Sequence, residues 1–113
     1  MIGDQLYLRH ILDAIKKIES YVSIGKPVFM ETSHWQDAVI RQLEIIGEAT
    51  KHISDDLRSQ HSEIPWRRIA GLRDVLIHNY MGVDLAAVWE ITQKDIPQLK
   101  EYVSSISGGL EDS

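Results

Sequence analysis

Apolar side chains recur every three or four positions along most of the chain, and this spacing is typical of amphipathic helices. A first stripe predicts a helix over about residues 4–22, which Gly25 and Pro27 should end. A second stripe predicts a helix over about residues 33–53, and residues 54–65 are polar and punctuated. No useful stretch alternates with a period of two, so no strand is expected.

A third and a fourth helix are predicted in the second half of the chain. Pro65 suits the first turn of the third helix. That helix should end near Asn79 and Gly82, because both residue types tolerate the left-handed conformation. Asp84 can then cap the fourth helix.

The end of the chain continues the helical pattern. Pro97 should kink or interrupt the fourth helix, whose apolar stripe runs on to about Ser105 before a frayed tail at residues 107–113. No stretch looks like a linker. We therefore expect one domain over residues 1–113, folded as an all-α antiparallel bundle of four to five helices.

Composition and charge narrow the class of protein. The chain has no cysteine, which excludes disulfides and thiolate metal sites. No apolar run approaches the roughly 20 residues that span a bilayer, and the first residues lack the features of a signal peptide. A cytoplasmic protein without a membrane partner is expected. The net charge of −5 argues against general coating of nucleic acid, which needs many contacts from Lys and Arg.

One decapeptide, from Gly71 to Tyr80, combines three side chains that can handle phosphate. Arg73, His78 and Tyr80 have the spacing Arg-x4-His-x-Tyr. They supply a permanent cation, a group that titrates near neutral pH and a phenol. Together they could bind a phosphodiester, transfer a proton and position a base.

Basic side chains concentrate just before this decapeptide. Arg67 and Arg68 follow Trp66, and no acidic residue lies between Ile64 and Arg73. Such a local field could hold one phosphodiester segment of a nucleic acid, so Arg67 and Arg68 are candidate contacts to it. A solvated helix face is the competing interpretation.

Helix geometry separates the three motif side chains. At about 100° per residue, Arg73 and Tyr80 lie within about 20° of each other, whereas His78 lies about 140° from Arg73. Either the helix end re-aims the His78 ring, or a second copy of the helix supplies the missing group. A symmetric dimer would place two Arg73 and two His78 around one cleft, with one His as base and the other as acid.

Two neighbours of the motif are supporting candidates. Asp74 precedes His78 by four residues, so its carboxylate could accept the ring N–H and fix the tautomer, or the two could form an ordinary exposed pair. Asn79, which lies between His78 and Tyr80, is the second supporting candidate. The other histidines share no i,i+4 spacing, so no metal site or cofactor is expected and catalysis should be metal-independent.

With these motifs in place, the sequence resembles the HEPN superfamily, and within it the HepT-like ribonuclease toxins. The resemblance covers roughly residues 5–105. It is carried, in family order, by Ile45-Ile46-Gly47-Glu48-Ala49, Ile64-Pro65-Trp66, Gly71-Leu72-Arg73-Asp74 leading to His78-x-Tyr80, and Val83-Asp84 with Trp89 beyond.

The resemblance implies a dimeric helical bundle that cleaves RNA at a shared cleft containing Arg73 and His78. It implies a minimal nucleotidyltransferase antitoxin (MntA-like) as partner. Whether toxin and antitoxin form a larger hetero-oligomer is left open. In this family the antitoxin can transfer AMP to a motif tyrosine, which makes Tyr80 the candidate. RNA carries its own nucleophile, the 2′-hydroxyl, so these residues fit the chemistry without a metal.

A different class of function keeps the fold and omits catalysis. The chain could be a helical partner subunit that binds nucleotide or substrate for a nucleotidyltransferase. Arg73 and Tyr80 on one face would suit that role, with His78 only structural. Substitution of His78 discriminates the two, because a binding module should tolerate it far better than a nuclease.

Overall fold

The described part of the chain is helical. A computed structural model describes the backbone of residues 2–72 and 85–112, and the side chains of residues 3–72 and 85–106. Within these ranges there is no strand, and the predicted all-α class is confirmed. The helices are α1 (Ile2–Val22), α2 (Lys26–Glu31), α3 (Ser33–Lys51), α4 (Asp55–Gln60), α5 (Trp66–Ala70), α6 (Leu85–Glu90) and α7 (Ile96–Asp112), with a π-helical segment, Ile91–Asp95, between α6 and α7.

Helices α1 and α3 form an antiparallel pair at the centre of the packing. Asp4 near the start of α1 contacts Ser54 just after α3, while Tyr21 near the end of α1 contacts Trp35 near the start of α3. The buried face of α1 is apolar, and full burial of one such side chain contributes about 1.5–3 kcal/mol. Its fully buried residues are Leu8, Ile11, Ile15 and Ile18.

The other helices pack around this pair. α2 and α5 contact α3, while α7 and the π-helical segment contact α1. Phe29 of α2 is fully buried, and its ring centroid lies 5.2 Å from that of Trp89 in α6. The core therefore joins residues from both halves of the chain.

Most predicted helix bounds in the first half are confirmed. α1 ends at Val22 and α3 begins at Ser33, as predicted, although α3 ends at Lys51 rather than near residue 53. The periodicity missed α2 and α4, because each is only six residues long and too short to show a repeating stripe. Ser54 caps α4 by accepting a hydrogen bond from the Leu57 N–H at 3.2 Å.

The second half shows one confirmed break and one wrong boundary. The predicted interruption at Pro97 is the π-helical segment, where the Ile96 N–H donates to the Ile91 carbonyl. The predicted end near Ser105 is wrong. α7 runs on to Asp112, because glycine weakens a helix without removing a backbone donor. That residues 107–113 fray in solution stays a prediction.

Candidate functional site

The predicted motif lies outside the described residues. Arg73, Asp74, His78, Asn79 and Tyr80 all fall within residues 73–84, as do the predicted end of the third helix and its cap at Asp84. Their roles therefore stay predictions. The structure does describe the chain on either side of this segment, and those flanks can be assessed directly.

The segment that leads into residue 73 is anchored in the core. α5 begins at Trp66, with Pro65 in the N-cap position, and packs against α3. The Trp66 indole N–H donates to the His61 carbonyl at 3.0 Å, and Ile69 and Leu72 are buried. Because these side chains are fixed, the backbone enters residue 73 from a defined position.

The two predicted RNA contacts on α5 have different surroundings. Arg68 donates from Nη2 to Asp95 Oδ1 at 2.8 Å, although its side chain is 71% exposed. Arg67 is exposed and has no ion-pair partner within the described ranges. It borders a shallow surface depression with Arg58 and Trp66. Of the two arginines, Arg67 is the one more readily available to a phosphate.

A small pocket lies beside the entry to the motif. It has a volume of about 220 Å³ and lies between α5, the π-helical segment and α7. Its lining includes Leu72, Asp95 and Tyr102. Leu72 directly precedes Arg73, so one residue of the pocket lining is the sequence neighbour of the predicted site.

A second cluster of titratable side chains, which sequence reasoning missed, lies between α1 and α3. The rings of Tyr7 and His52 are stacked, with centroids 4.9 Å apart and planes 16° apart. The His10 ring meets Tyr7 edge-on at 5.9 Å. Together with Arg41 and Glu44 they line a groove of about 330 Å³, here called the ring groove. Antiparallel pairing of the first two predicted helices could have indicated that Tyr7 and His52 lie close together.

Neither a metal-binding cluster nor a membrane-spanning helix is found in the described part of the chain. Among the described side chains, those of residues 3–72 and 85–106, no group of three or more His, Asp or Glu residues could hold a metal ion. Within residues 2–72 and 85–112, no helix is both long enough and apolar enough to cross a membrane. The expected metal independence stays a prediction, because residues 73–84 carry the motif.

Comparison with known proteins gives the family. The HepT-like ribonuclease family matches residues 11–106. The chain is 48% identical over 95 residues to a Thermococcus cleftensis protein named "Probable ribonuclease HepT", covering 83% of this chain and 86% of that protein. It is 43% identical over 101 residues to a "Putative RNase" of Caldanaerobacter subterraneus subsp. tengcongensis, covering 88% and 90% of the two chains.

One relative is longer than this chain. A Methanocaldococcus jannaschii protein named "Gamma-glutamylcyclotransferase and putative RNase" is 44% identical over 108 residues, covering 95% of this chain and 49% of that protein. The chain thus spans about half of that relative's length. No solved structure matched. The resemblance read from the motifs is confirmed, and the chain belongs to the HepT-like ribonuclease family of the HEPN superfamily.

Proposed function

We propose that this chain is a metal-independent endoribonuclease toxin whose site is formed by Arg73 and His78. The observation that carries the proposal is the family match over residues 11–106, which contains the whole Arg-x4-His-x-Tyr motif. Relatives named as ribonucleases align with most of their own length, which supports the same activity here. The cyclotransferase in the longer relative's name forms no part of the proposal.

The chemistry uses the nucleophile that RNA carries. His78 removes the proton from the 2′-hydroxyl, and the 2′-oxygen attacks the adjacent phosphorus. The bond from phosphorus to the 5′-oxygen breaks, and an acid protonates that oxygen. The products are a 2′,3′-cyclic phosphate and a 5′-hydroxyl. Arg73 binds the phosphate through its planar fork and stabilises the charge that develops in the transition state.

A symmetric dimer would supply the acid. On one regular helix His78 points about 140° away from Arg73, so a single copy presents the two groups poorly. Two motifs facing each other would bring the His78 of one protomer beside the Arg73 of its partner, and one His would act as base while the other acts as acid. Asp74 would orient the ring of His78, and Asn79 would support the motif.

We further propose that a nucleotidyltransferase antitoxin inactivates the toxin at Tyr80. The phenolic oxygen would form a bond to the α-phosphorus of ATP, and pyrophosphate would leave. The added AMP would place a bulky anion where the substrate phosphate must bind, so both steric overlap and like charge would inhibit. Intact mass after co-expression with the antitoxin should show AMP increments that Tyr80→Phe abolishes. Increments that persist, on Tyr7, Tyr21 or Tyr102, would overturn the assignment.

The nuclease proposal is tested by RNA digestion in EDTA. Wild type should cut. His78→Ala should lose at least about a hundredfold in rate because positioned proton transfer contributes that much, and Arg73→Ala should lose about as much because it removes a cation that stabilises the transition state. His34→Ala removes an exposed histidine elsewhere and serves as the matched control. Dependence on added metal, or full activity of both motif variants, would contradict the mechanism. Tolerance of His78→Gln would favour the non-catalytic partner subunit instead.

A further inference from the structure

The ring groove lies between α1 and α3, outside the motif. We propose that it is a substrate subsite that binds one unpaired nucleobase of the RNA. This inference rests on the proposed ribonuclease function and extends it from the cleavage site to a neighbouring nucleotide. No part of it requires the groove residues to take part in bond breaking.

The rings of the groove provide a stacking surface. Tyr7 covers one face of His52, since the two planes are nearly parallel at 4.9 Å. The His52 side chain is nevertheless 52% exposed, so part of it remains accessible to a further planar ring. Glu48 Oε1 lies 3.5 Å from His52 Nε2 and helps to hold the ring in this orientation. Unpaired bases stack on such surfaces with little dependence on sequence.

The rim of the groove offers polar groups that suit a base with its attached phosphate. Arg41 is 70% exposed, and its Nη1 lies 3.7 Å from Glu44 Oε2. A guanidinium at that distance keeps donors available for the phosphate beside a bound base. Glu44 can accept from the amino group of a base.

Charge favours a base over a phosphate inside the groove. The lining contains one arginine and two glutamates beside the two histidines. A phosphate lying among the two carboxylates would be repelled, whereas an uncharged base would not. The phosphate should therefore remain at the rim, beside Arg41.

The size and position of the ring groove fit a single nucleotide of the RNA strand that is cleaved at the motif. The volume of about 330 Å³ accommodates one base but not a duplex. α3, which carries Arg41 and ends one residue before His52, packs directly against α5, the helix that leads into residue 73. Packed helices lie about 8–10 Å apart, so a single strand that passes the end of α5 could reach α3 within a few nucleotides.

The test is binding of an RNA that cannot be cleaved. A fluorescein-labelled 2′-O-methyl decanucleotide lacks the nucleophile, so binding is separated from catalysis. Affinity should fall about tenfold for His52→Ala and for Tyr7→Leu, which is within the range measured for loss of one base-stacking side chain. Tyr7→Phe and His52→Tyr, which keep a ring, should retain most of the affinity.

His34→Ala is the matched control. Like His52, His34 is an exposed histidine with a ring contact, to Trp35 at 4.8 Å, but it lies at the other end of α3, outside the groove. Its loss should leave binding unchanged. An otherwise identical oligonucleotide with abasic positions should bind wild type and His52→Ala equally, because it offers no ring to stack.

The outcomes separate this inference from the proposed function. If wild type cleaves RNA but His52→Ala and Tyr7→Leu bind the decanucleotide as wild type does, the groove subsite is wrong while the nuclease stands. If wild type neither binds nor cuts RNA, both are wrong. If His52→Ala instead lowers the sedimenting mass without RNA, the groove is a contact between copies and the subsite is overturned.

Discussion

Two aspartates, Asp4 and Asp95, each accept a hydrogen bond from a residue far away in the sequence, but Asp4 is buried and the contact of Asp95 is exposed to solvent. Asp4 is 6% exposed and accepts two hydrogen bonds from Ser54, from the backbone N–H at 2.8 Å and from Oγ at 2.6 Å. Asp95 accepts from Arg68 at 2.8 Å, and its side chain is 32% exposed. One contact is part of the interior and the other lies in water.

The difference indicates which region is structural and which is available for binding. Ser54 also caps α4, so the Asp4 contact fixes the start of α1 to the start of α4. Leaving such buried groups without partners is costly. The exposed Arg68–Asp95 pair is screened by solvent and holds the arginine weakly. Arg68 can therefore exchange its carboxylate for a phosphate at little cost in folding free energy.

The largest effect on folding is expected at Asp4. Asp4→Ala should lower the free energy of unfolding by about 1–3 kcal/mol, because the Ser54 donors lose their buried acceptor. Asp13→Ala, at an exposed position of the same helix, should change it by no more than about 0.5 kcal/mol. Urea denaturation measures both. Equal losses in the two variants would contradict the structural role of Asp4.

The next effect is a difference between the two arginines of α5. Arg67→Ala should weaken binding of the 2′-O-methyl decanucleotide and reduce the salt slope of log Kd by about one, as expected for one lost phosphate contact. Arg68→Ala should have a smaller effect, since Arg68 must first leave Asp95. Titrations at several salt concentrations check this. A larger loss for Arg68→Ala would reverse the assignment.

The smallest effect is expected at Asp95. Asp95→Asn should change the free energy of unfolding by less than about 1 kcal/mol, because the pair is exposed. The same variant should bind the decanucleotide slightly more tightly, since Arg68 is released and one negative charge is removed. Weaker binding would show that the ion pair positions Arg68 rather than competing for it.

The long helices could be predicted from the sequence because their stabilising contacts repeat within one element. The bounds of α1 and the start of α3 follow from apolar periodicity, and the break before Pro97 follows from its missing N–H. α2 and α4 escape this signal because one and a half turns contain no repeat. Their positions depend on tertiary contacts, such as that of Phe29 with Trp89.

The candidate site likewise has some features that the sequence predicts and others that depend on tertiary contacts. Arg73, His78 and Tyr80 could be selected by residue type and spacing within one decapeptide, and the family is confirmed by comparison. The stacking of Tyr7 on His52 and the pairing of Arg68 with Asp95 join distant segments. Such contacts require the packing of whole helices, which periodicity alone does not give.

The proposed mechanism requires that the RNA's own 2′-hydroxyl is the nucleophile and that Arg73 and His78 act without a metal. The most direct measurement is the chemistry of the RNA ends that wild type produces in EDTA, by mass spectrometry. A 2′,3′-cyclic phosphate with a 5′-hydroxyl is predicted, and a 2′-deoxy substitution at the cut should block cleavage. A 3′-hydroxyl with a 5′-phosphate, or cleavage next to the deoxy position, would contradict the mechanism.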